Sequence, residues 1–203
     1  MKKRIIDKLI TFITNNKQCT EKDIKIYRYG LETLYNLMTK TIVLLIITFF
    51  IKTIKQCLLI IMFYTLLRLF AYGIHANTSL GCWLTTLPIY IIGSLFIKYI
   101  SVTKNIIWIM WVIYTLFVVL WAPADTKKRP LIHAKRRKRL KIEALIMCVV
   151  FYVFIWKISN PQAITAIGFS MLLESISICP LTYYLSGNRF NNYIYYNREH
   201  GLN

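Results

Sequence analysis

Long uncharged apolar stretches, separated by short basic ones, constrain this chain more than any other feature. Residues 105–124 are 20 consecutive uncharged residues, which is the length that an α-helix needs to cross the hydrocarbon core of a bilayer. Residues 69–97 form a second uncharged stretch, 29 residues long. Because a backbone inside lipid must satisfy its own hydrogen bonds, the predicted fold class is all-α, a polytopic integral membrane protein.

Shorter apolar stretches bring the predicted number of membrane segments to about six. Residues 41–51 and 56–67 are separated by Lys52 and Lys55. Each covers only part of the roughly 30 Å core unless its helix continues past the lysines. This pair therefore predicts either two spans with flanking extensions or a re-entrant hairpin. The remaining apolar stretches are residues 144–156, 158–173 and 175–185.

The N-terminal segment is amphipathic, not continuously apolar. Isoleucines and leucines recur at helical spacing over residues 5–13, with polar residues between them. This pattern is typical of a helix that lies in the interface of an anionic leaflet, and the alternative is a helix packed on a partner's soluble surface. A second helix is predicted from the capping-box-like residues 20–23 and an a/d rhythm that continues to Met38.

The apolar seam of that second helix could pack against the rest of the fold, a second copy of the chain in a homodimer, or an amphipathic substrate. We predict one integral membrane domain over residues 1–203. Its predicted parts are interfacial helices at 1–37, a membrane core at 38–187 and a polar tail at 188–203.

The distribution of the basic residues predicts the orientation. With the N-terminus in the cytoplasm and six crossings, inside segments hold 21 of the 26 Lys and Arg residues and outside segments hold 5. The positive-inside rule therefore places both termini and residues 75–82 on the cytoplasmic side of a cell membrane. Nine Lys and Arg residues lie in a predicted loop at 127–141. Its place between apolar stretches favours a cytoplasmic loop near anionic headgroups over nucleic-acid binding.

Polar and reactive groups interrupt the apolar sequence at residues 68–82, which contain His75 and Cys82. An imidazole can hold a thiol as thiolate, which makes the pair a candidate base and nucleophile. On an unbroken helix the two would lie roughly 10 Å apart along the axis, too far for proton transfer. The weak helix formers at 77–79 and Gly81 instead predict a helix end, a turn and a new helix near Gly81. Cys82 would then lie in a first turn, where the macrodipole favours an anion.

The same residues are compatible with an interfacial histidine whose hydrogen bonds are satisfied and an inert, buried thiol. The five cysteines are odd in number and widely spread, so no disulfide framework is predicted. None has a cysteine or histidine two to four residues away, so neither a metal site nor another cofactor is predicted.

Two stretches of the chain resemble the AgrB family, the accessory gene regulator membrane endopeptidases of Gram-positive peptide quorum sensing. Many relatives carry two consecutive glycines before the histidine, where this chain has Tyr72 and Gly73. The residues that carry the resemblance are Arg68, Gly73, His75-Ala76 and Cys82, with Pro-Ala-Asp-Thr-Lys-Lys at 123–128 as a second stretch.

The resemblance implies a cysteine endopeptidase with Cys82 as nucleophile and His75 as base. Its substrate would be an AgrD-like propeptide with an amphipathic N-terminal helix and an acidic C-terminal tail. Cleavage would leave an acyl-thioester on Cys82, and a thiol within the peptide would release it as a cyclic thiolactone. Hydrolysis of the thioester must be slower than attack by the peptide's own thiol, so the site has to exclude bulk solvent.

Other residues are candidates for orienting the imidazole or binding the substrate. Asp125 is one of eight acidic residues and could orient His75 or pair with a nearby cation. Arg68 could bind an oxyanion or a substrate carboxylate, or be a plain positive-inside arginine. The predicted loop could attract an acidic peptide tail or serve only as a topology signal. Its cations of interest are Lys127, Lys128, Arg136, Arg137 and Arg139.

Two other classes of function compete with the enzyme. A peptide exporter without covalent catalysis is disfavoured by the shortage of intramembrane charges and the lack of an inverted repeat. A membrane-anchored interaction protein would carry out no chemistry at all. His133 has no cysteine near it in sequence and His200 lies in the predicted polar tail, which is expected to be mobile, so neither is expected to be catalytic.

Overall fold

The computed structural model describes residues 2–16, 19–75, 78–127 and 130–199, and most of these residues are helical. Within them no β-strand forms, and an isolated β-bridge joins Tyr72 to Ala124. The all-α prediction is therefore confirmed. The helices are α1 Lys2–Asn16, α2 Glu21–Phe50, α3 Ile54–Ala71, α4 Ser79–Tyr99, α5 Lys104–Trp121, α6 Ala134–Lys157, α7 Pro161–Ile178, α8 Pro180–Leu185 and α9 Asn192–Glu199.

Five of these helices, α2, α3, α4, α5 and α7, are long and apolar enough to cross a membrane. An 18-residue helix is about 27 Å long, close to the thickness of the hydrocarbon core. The chain is thus a multi-pass membrane protein. The predicted stretches 41–51 and 56–67 are shorter than the helices α2 and α3 that contain them. Helix α2 continues through Lys40, and α3 continues through Arg68, the charged residues at which the predicted stretches stopped.

The exposed face of α5 is apolar. Ile109, Val112, Leu116 and Leu120 are each more than half exposed and recur three to four residues apart. This spacing places them on one face of the helix. A continuous exposed apolar stripe is unfavourable in water and favourable against lipid tails.

Helix α7 is the central element of the membrane bundle. It packs against α3 and α5, and 61% of its span is buried, compared with 17% for α4 and for α5. Small residues permit this close packing, as Gly168 shows: a Cβ atom there would lie 2.4 Å from Cδ1 of Ile107. Polar groups on α7 are therefore held inside the protein, away from lipid.

The chain divides into two compact units, Met1–Ile47 and Thr48–Asn203. In the first unit, α1 buries Ile6 and Ile10, and Asp7 pairs with Arg28 at 2.7 Å. The predicted capping box is confirmed, because the backbone N–H of Thr20 donates to the Asp23 carboxylate and that of Asp23 donates to the Thr20 hydroxyl.

Two segments after residue 126 differ from the sequence prediction. The basic segment predicted as a loop at 127–141 is helical from Ala134 onward, because Lys, Arg and Leu are strong helix formers. The predicted polar tail at 188–203 contains the helix α9. His200 lies outside the described residues.

Candidate functional site

The predicted helix break between His75 and Cys82 is confirmed. Helix α3 ends at Ala71, and α4 begins at Ser79, two residues before the predicted start. Thr78 caps α4, since its hydroxyl oxygen accepts a hydrogen bond of 3.0 Å from the Gly81 backbone N–H. Cys82 lies in the first turn of α4, and its own N–H donates to the Thr78 carbonyl at 3.1 Å. Residues 76 and 77 lie outside the described part of the chain.

Residues 72–78 connect α3 to α4 and are called the α3–α4 link. Backbone hydrogen bonds fix the described part of this link. The N–H of Gly73 donates to the carbonyl of Ala124 at 2.8 Å, and the Ala124 N–H donates to the carbonyl of Ala71 at 2.9 Å. The N–H of Ile74 donates to the carbonyl of Ser177 at the C-terminal end of α7, also at 2.9 Å. The link is therefore held between the α5–α6 connection and α7.

Gly73 fits this link for two independent reasons. Its φ of +120° lies in a region that side-chain-bearing residues rarely adopt, and a Cβ atom there would lie 2.4 Å from the Ser177 hydroxyl oxygen. Its neighbour Tyr72 also has a positive φ of 62°. Its hydroxyl oxygen accepts a hydrogen bond of 3.2 Å from Arg136.

Arg68, near the end of α3, directs its guanidinium group toward the same link. One nitrogen, Nη1, donates to the hydroxyl oxygens of Tyr64 at 2.7 Å and Ser177 at 3.1 Å. The other, Nη2, donates to the carbonyl oxygens of Gly73 and Ile74. Nη2 is thus directed at the segment that leads into His75, and Nη1 at side chains of α3 and α7.

Glu174 is a buried acid on α7 that the sequence analysis did not single out. Its Oε2 atom lies 3.6 Å from Arg68 Nη1 and accepts a hydrogen bond of 3.0 Å from the Ser177 hydroxyl. The side chain is fully buried. A charged residue inside an otherwise apolar membrane stretch is itself a functional signal, and that signal was available in the sequence.

Asp125 is buried, and its carboxylate accepts three backbone hydrogen bonds. The donors are Asn192 at 2.7 Å, Tyr193 at 2.8 Å and Leu131 at 3.1 Å. Burial raises the pKa of Asp125 above its usual range, although these N–H groups act to lower it. The carboxylate ties the start of α9 to the α5–α6 connection. Its predicted role as the group that orients His75 stays a prediction.

A small cavity of about 20 Å³, with room for about one water molecule, lies beside His75. The His75 side chain is exposed. The cavity brings together the α3–α4 link, the two residues that follow Asp125 and the C-terminal segment. Its lining consists of Ile74, His75, Thr126, Lys127, Tyr183, Asn188 and Asn192.

The five thiols differ in accessibility. Cys57 and Cys148 are buried, whereas Cys19, Cys82 and Cys179 are partly exposed. The Cys82 sulfur lies 3.9 Å from the Thr86 hydroxyl oxygen, one turn further along α4. Direct proton transfer between His75 and Cys82 stays a prediction.

The predicted substrate-binding cations occupy different environments. Arg137 donates to the carbonyls of Leu131 and Ile132 at 2.7 and 2.8 Å, and its guanidinium group lies 3.9 Å from the Tyr193 ring centre. Arg139 is 80% exposed and pairs with Glu143. Lys128 lies outside the described residues.

One face of the first half of α6 is largely exposed and mostly basic. It comprises Lys135, Lys138, Arg139, Ile142 and Glu143.

Comparison with known proteins gives a consistent result. The profile of the family described as "Accessory gene regulator B" matches residues 6–178. A Clostridium acetobutylicum protein is 27% identical over 97% of this chain and 96% of its own length. A Listeria welshimeri protein is 31% identical over 82% of this chain and 81% of its own, and one from Lactiplantibacillus plantarum is 26% identical over 88% and 89%. Each is named only by its likeness to AgrB. No solved structure matches the chain.

Proposed function

Because the chain belongs to the AgrB family, we propose that it is a membrane-embedded cysteine endopeptidase that cleaves an AgrD-like propeptide and promotes its cyclisation. Family membership by itself supports a role in processing such a peptide in general terms. The observation that carries the finer proposal is the break between α3 and α4. It leaves His75 exposed beside a cavity and puts Cys82, a partly exposed thiol, in the first turn of α4.

In the proposed first step, the Cys82 thiolate attacks the carbonyl carbon of the scissile peptide bond. The C–N bond breaks, and the C-terminal fragment leaves as an amine after taking a proton from the His75 imidazolium. The N-terminal part of the peptide remains on Cys82 as a thioester. The N-terminal turn of α4 favours the negative charge that the thiolate carries before the attack.

In the proposed second step, a thiol within the bound peptide attacks the thioester carbonyl. A cyclic thiolactone leaves, and the Cys82 thiol is regenerated. Hydrolysis competes with this step, so the internal thiol must be held close to the acyl carbon while bulk water is excluded.

We also propose how the substrate reaches the site. In this proposal both termini and the α3–α4 link face the cytoplasm. An amphipathic propeptide would lie in the same leaflet as α1, so its search for the site would be confined to two dimensions. The exposed cations of α6 would attract its acidic tail.

The direct test is to trap the acyl-enzyme. The purified full chain is mixed with candidate AgrD-like propeptides and analysed by intact mass spectrometry. We expect a mass increase equal to the N-terminal part of the propeptide, absent in Cys82→Ala and strongly reduced in His75→Ala.

Cys179→Ala is the matched control. Cys179 is also partly exposed, and it directly follows α7, whose last turn binds the α3–α4 link. This variant should form the adduct at the wild-type rate. An adduct on Cys82→Ala, or its loss in Cys179→Ala, would remove Cys82 from the nucleophile role.

A further inference from the structure

A buried polar cluster joins the ends of α3 and α7 to the link that carries His75. It consists of Arg68, Glu174 and the Ser177 hydroxyl. We propose that Glu174 is a positioning residue: it fixes the Arg68 guanidinium, which holds the carbonyls before His75 and so sets where the imidazole lies. This inference rests on the proposed function of His75 as the base for Cys82.

Burying these polar groups carries a cost in free energy. A buried ion pair seldom stabilises a protein more than apolar residues of similar volume would. Glu174 is fully buried, and its second oxygen, Oε1, has no hydrogen-bond partner among the described residues. An unsatisfied buried carboxylate oxygen is unfavourable. The pair is therefore poorly explained as a device for stability alone.

The two terminal nitrogens of the Arg68 guanidinium group contact different parts of the protein. Nη1 faces Glu174 and Ser177, while Nη2 faces the carbonyls of Gly73 and Ile74. Because the group is planar and rigid, fixing Nη1 also fixes the direction of Nη2. Contacts on one side of the guanidinium are thus transmitted to the backbone on the other.

The link offers few other means of holding these carbonyls. The N–H groups of Gly73 and Ile74 already donate to Ala124 and Ser177, and Arg68 supplies donors to both carbonyls. If Glu174 is replaced by glutamine, the largely buried guanidinium group of Arg68 loses its acidic partner. Arg68 would then be expected to turn toward the membrane surface and release the carbonyls of Gly73 and Ile74. His75, which follows Ile74, would move as a result.

The test measures how reactive Cys82 is toward a defined probe. In the full chain with Cys19, Cys57, Cys148 and Cys179 replaced by alanine, the rate of Cys82 alkylation by iodoacetamide at pH 7 is followed by intact mass. We expect His75→Ala to slow alkylation on the order of tenfold, because a thiolate paired with an imidazolium is lost. We expect Glu174→Gln, which keeps the size of the side chain, to slow it by a similar factor.

The double variant separates positioning from a general structural role. If Glu174 acts through His75, Glu174→Gln should add no further loss in the His75→Ala background. Independent losses that multiply in the double variant, or a wild-type rate in Glu174→Gln, would overturn the inference. Glu174→Asp, which keeps the charge, should recover part of the rate.

Two serines of α7 provide a matched pair in case Glu174→Gln does not fold. Ser177 and Ser170 are both buried, but only the Ser177 hydroxyl bonds Arg68 and Glu174. The Ser170 hydroxyl has no hydrogen-bond partner in the described part of the chain. Ser177→Ala should slow alkylation severalfold and Ser170→Ala should not, whereas equal effects would count against the inference.

The alkylation experiment also distinguishes the two levels of the argument. If His75→Ala alkylates as fast as the wild type, the base and nucleophile pair of the proposed function fails, and the positioning role fails with it. If His75→Ala is slow while Glu174→Gln and Ser177→Ala match the wild type, only the positioning role fails.

Discussion

The carboxylate of Asp125 accepts a hydrogen bond of 2.7 Å from the backbone N–H of Asn192, the first residue of α9 and 67 residues away in sequence. The next N–H of that helix, from Tyr193, donates to the other carboxylate oxygen at 2.8 Å. The first N–H groups of a helix have no partner within the helix, and a side-chain oxygen there can accept hydrogen bonds from them. Asp125 thus caps α9, whose first residue lines the cavity beside His75.

Replacing this carboxylate should release α9. We expect Asp125→Asn to lower the free energy of local opening of α9 by about 2–3 kcal/mol, because the amide nitrogen, itself a donor, would face backbone N–H donors where a carboxyl oxygen now accepts from them. Hydrogen exchange of the α9 amides measures this. The control is Glu199→Gln, which removes an exposed charge from the same helix and should change little. Unchanged protection in Asp125→Asn would show that α9 is held by other contacts.

Docking of α9 should also depend on pH. While α9 is docked, burial raises the pKa of Asp125 above its ordinary value. We expect this pKa to return to the ordinary value when α9 undocks and water reaches the carboxyl group. The docked state then binds a proton more tightly, so docking becomes more favourable as the pH falls through the raised pKa and less favourable as it rises. Hydrogen exchange of α9, corrected for intrinsic rates, should show increasing protection on acidification from pH 7. The profile of Asp125→Asn should lack this component.

The sequence predicted the parts of the site that local chemistry determines. Weak helix formers at 77–79 and Gly81 indicated the break that separates His75 from Cys82, and the structure has it. What holds the link was not predictable in this way, because Arg68 and Ser177 meet across 109 residues of sequence. Helix periodicity reports which face of a helix is apolar, but it does not report which helix that face meets.

The C-terminal segment was missed for a related reason. Residues 188–203 have no apolar repeat and read as a polar tail. The start of α9 is instead fixed by the tertiary contact with Asp125. A helix of eight residues is marginal in isolation, so its presence depends on a partner that local sequence does not reveal.

Two adjacent positions of the α3–α4 link should respond in opposite ways to substitution. Tyr72→Gly should keep activity and raise stability by up to about 1 kcal/mol, because the positive φ of Tyr72 is strained for a residue with a side chain. Tyr72→Phe controls for the lost hydroxyl contact with Arg136. Thermal unfolding in detergent and the yield of the Cys82 adduct are the measurements.

Gly73→Ala is expected to be harmful at the neighbouring position. Its added Cβ atom would lie 2.4 Å from the Ser177 hydroxyl oxygen, at a φ that disfavours alanine. We expect a large loss of adduct formation with the protein still inserted in the membrane. Wild-type behaviour of Gly73→Ala would contradict the close contact between the link and α7.

The orientation of the chain can be tested with the reactive thiol itself. In a variant that retains only Cys82, a membrane-impermeant thiol reagent added to intact cells should leave it unlabelled, and permeabilisation should allow labelling, because the charge distribution predicts a cytoplasmic position for this thiol. Lys104→Cys, introduced at the exposed start of α5 in a chain without other cysteines, is the control that should be labelled from outside. Labelling of Cys82 in intact cells would invert the proposed topology.

Substrate recruitment should depend on the exposed cations of α6, not on all of the basic residues equally. Lys135, Lys138 and Arg139 lie on an exposed face of α6, where an acidic peptide tail can approach them. Arg137, in contrast, donates to two carbonyls and packs on Tyr193. Its substitution should lower stability before it affects binding. The informative variant is therefore the triple change of Lys135, Lys138 and Arg139 to glutamine, with Arg137→Gln as the contrasting control.

Exposed charges are screened over about 8 Å at physiological ionic strength, so the effect of the triple variant should be largest at low salt. We expect its KM for an acidic-tailed propeptide to rise severalfold at low salt and to approach that of the wild type at high salt. Its kcat should change little, because the bond-breaking groups are untouched. Since fewer cations on this side could invert the chain, the Cys82 labelling experiment must first show the wild-type orientation. A correctly oriented triple variant with wild-type KM at low salt would mean that these cations determine topology and do not recruit the substrate.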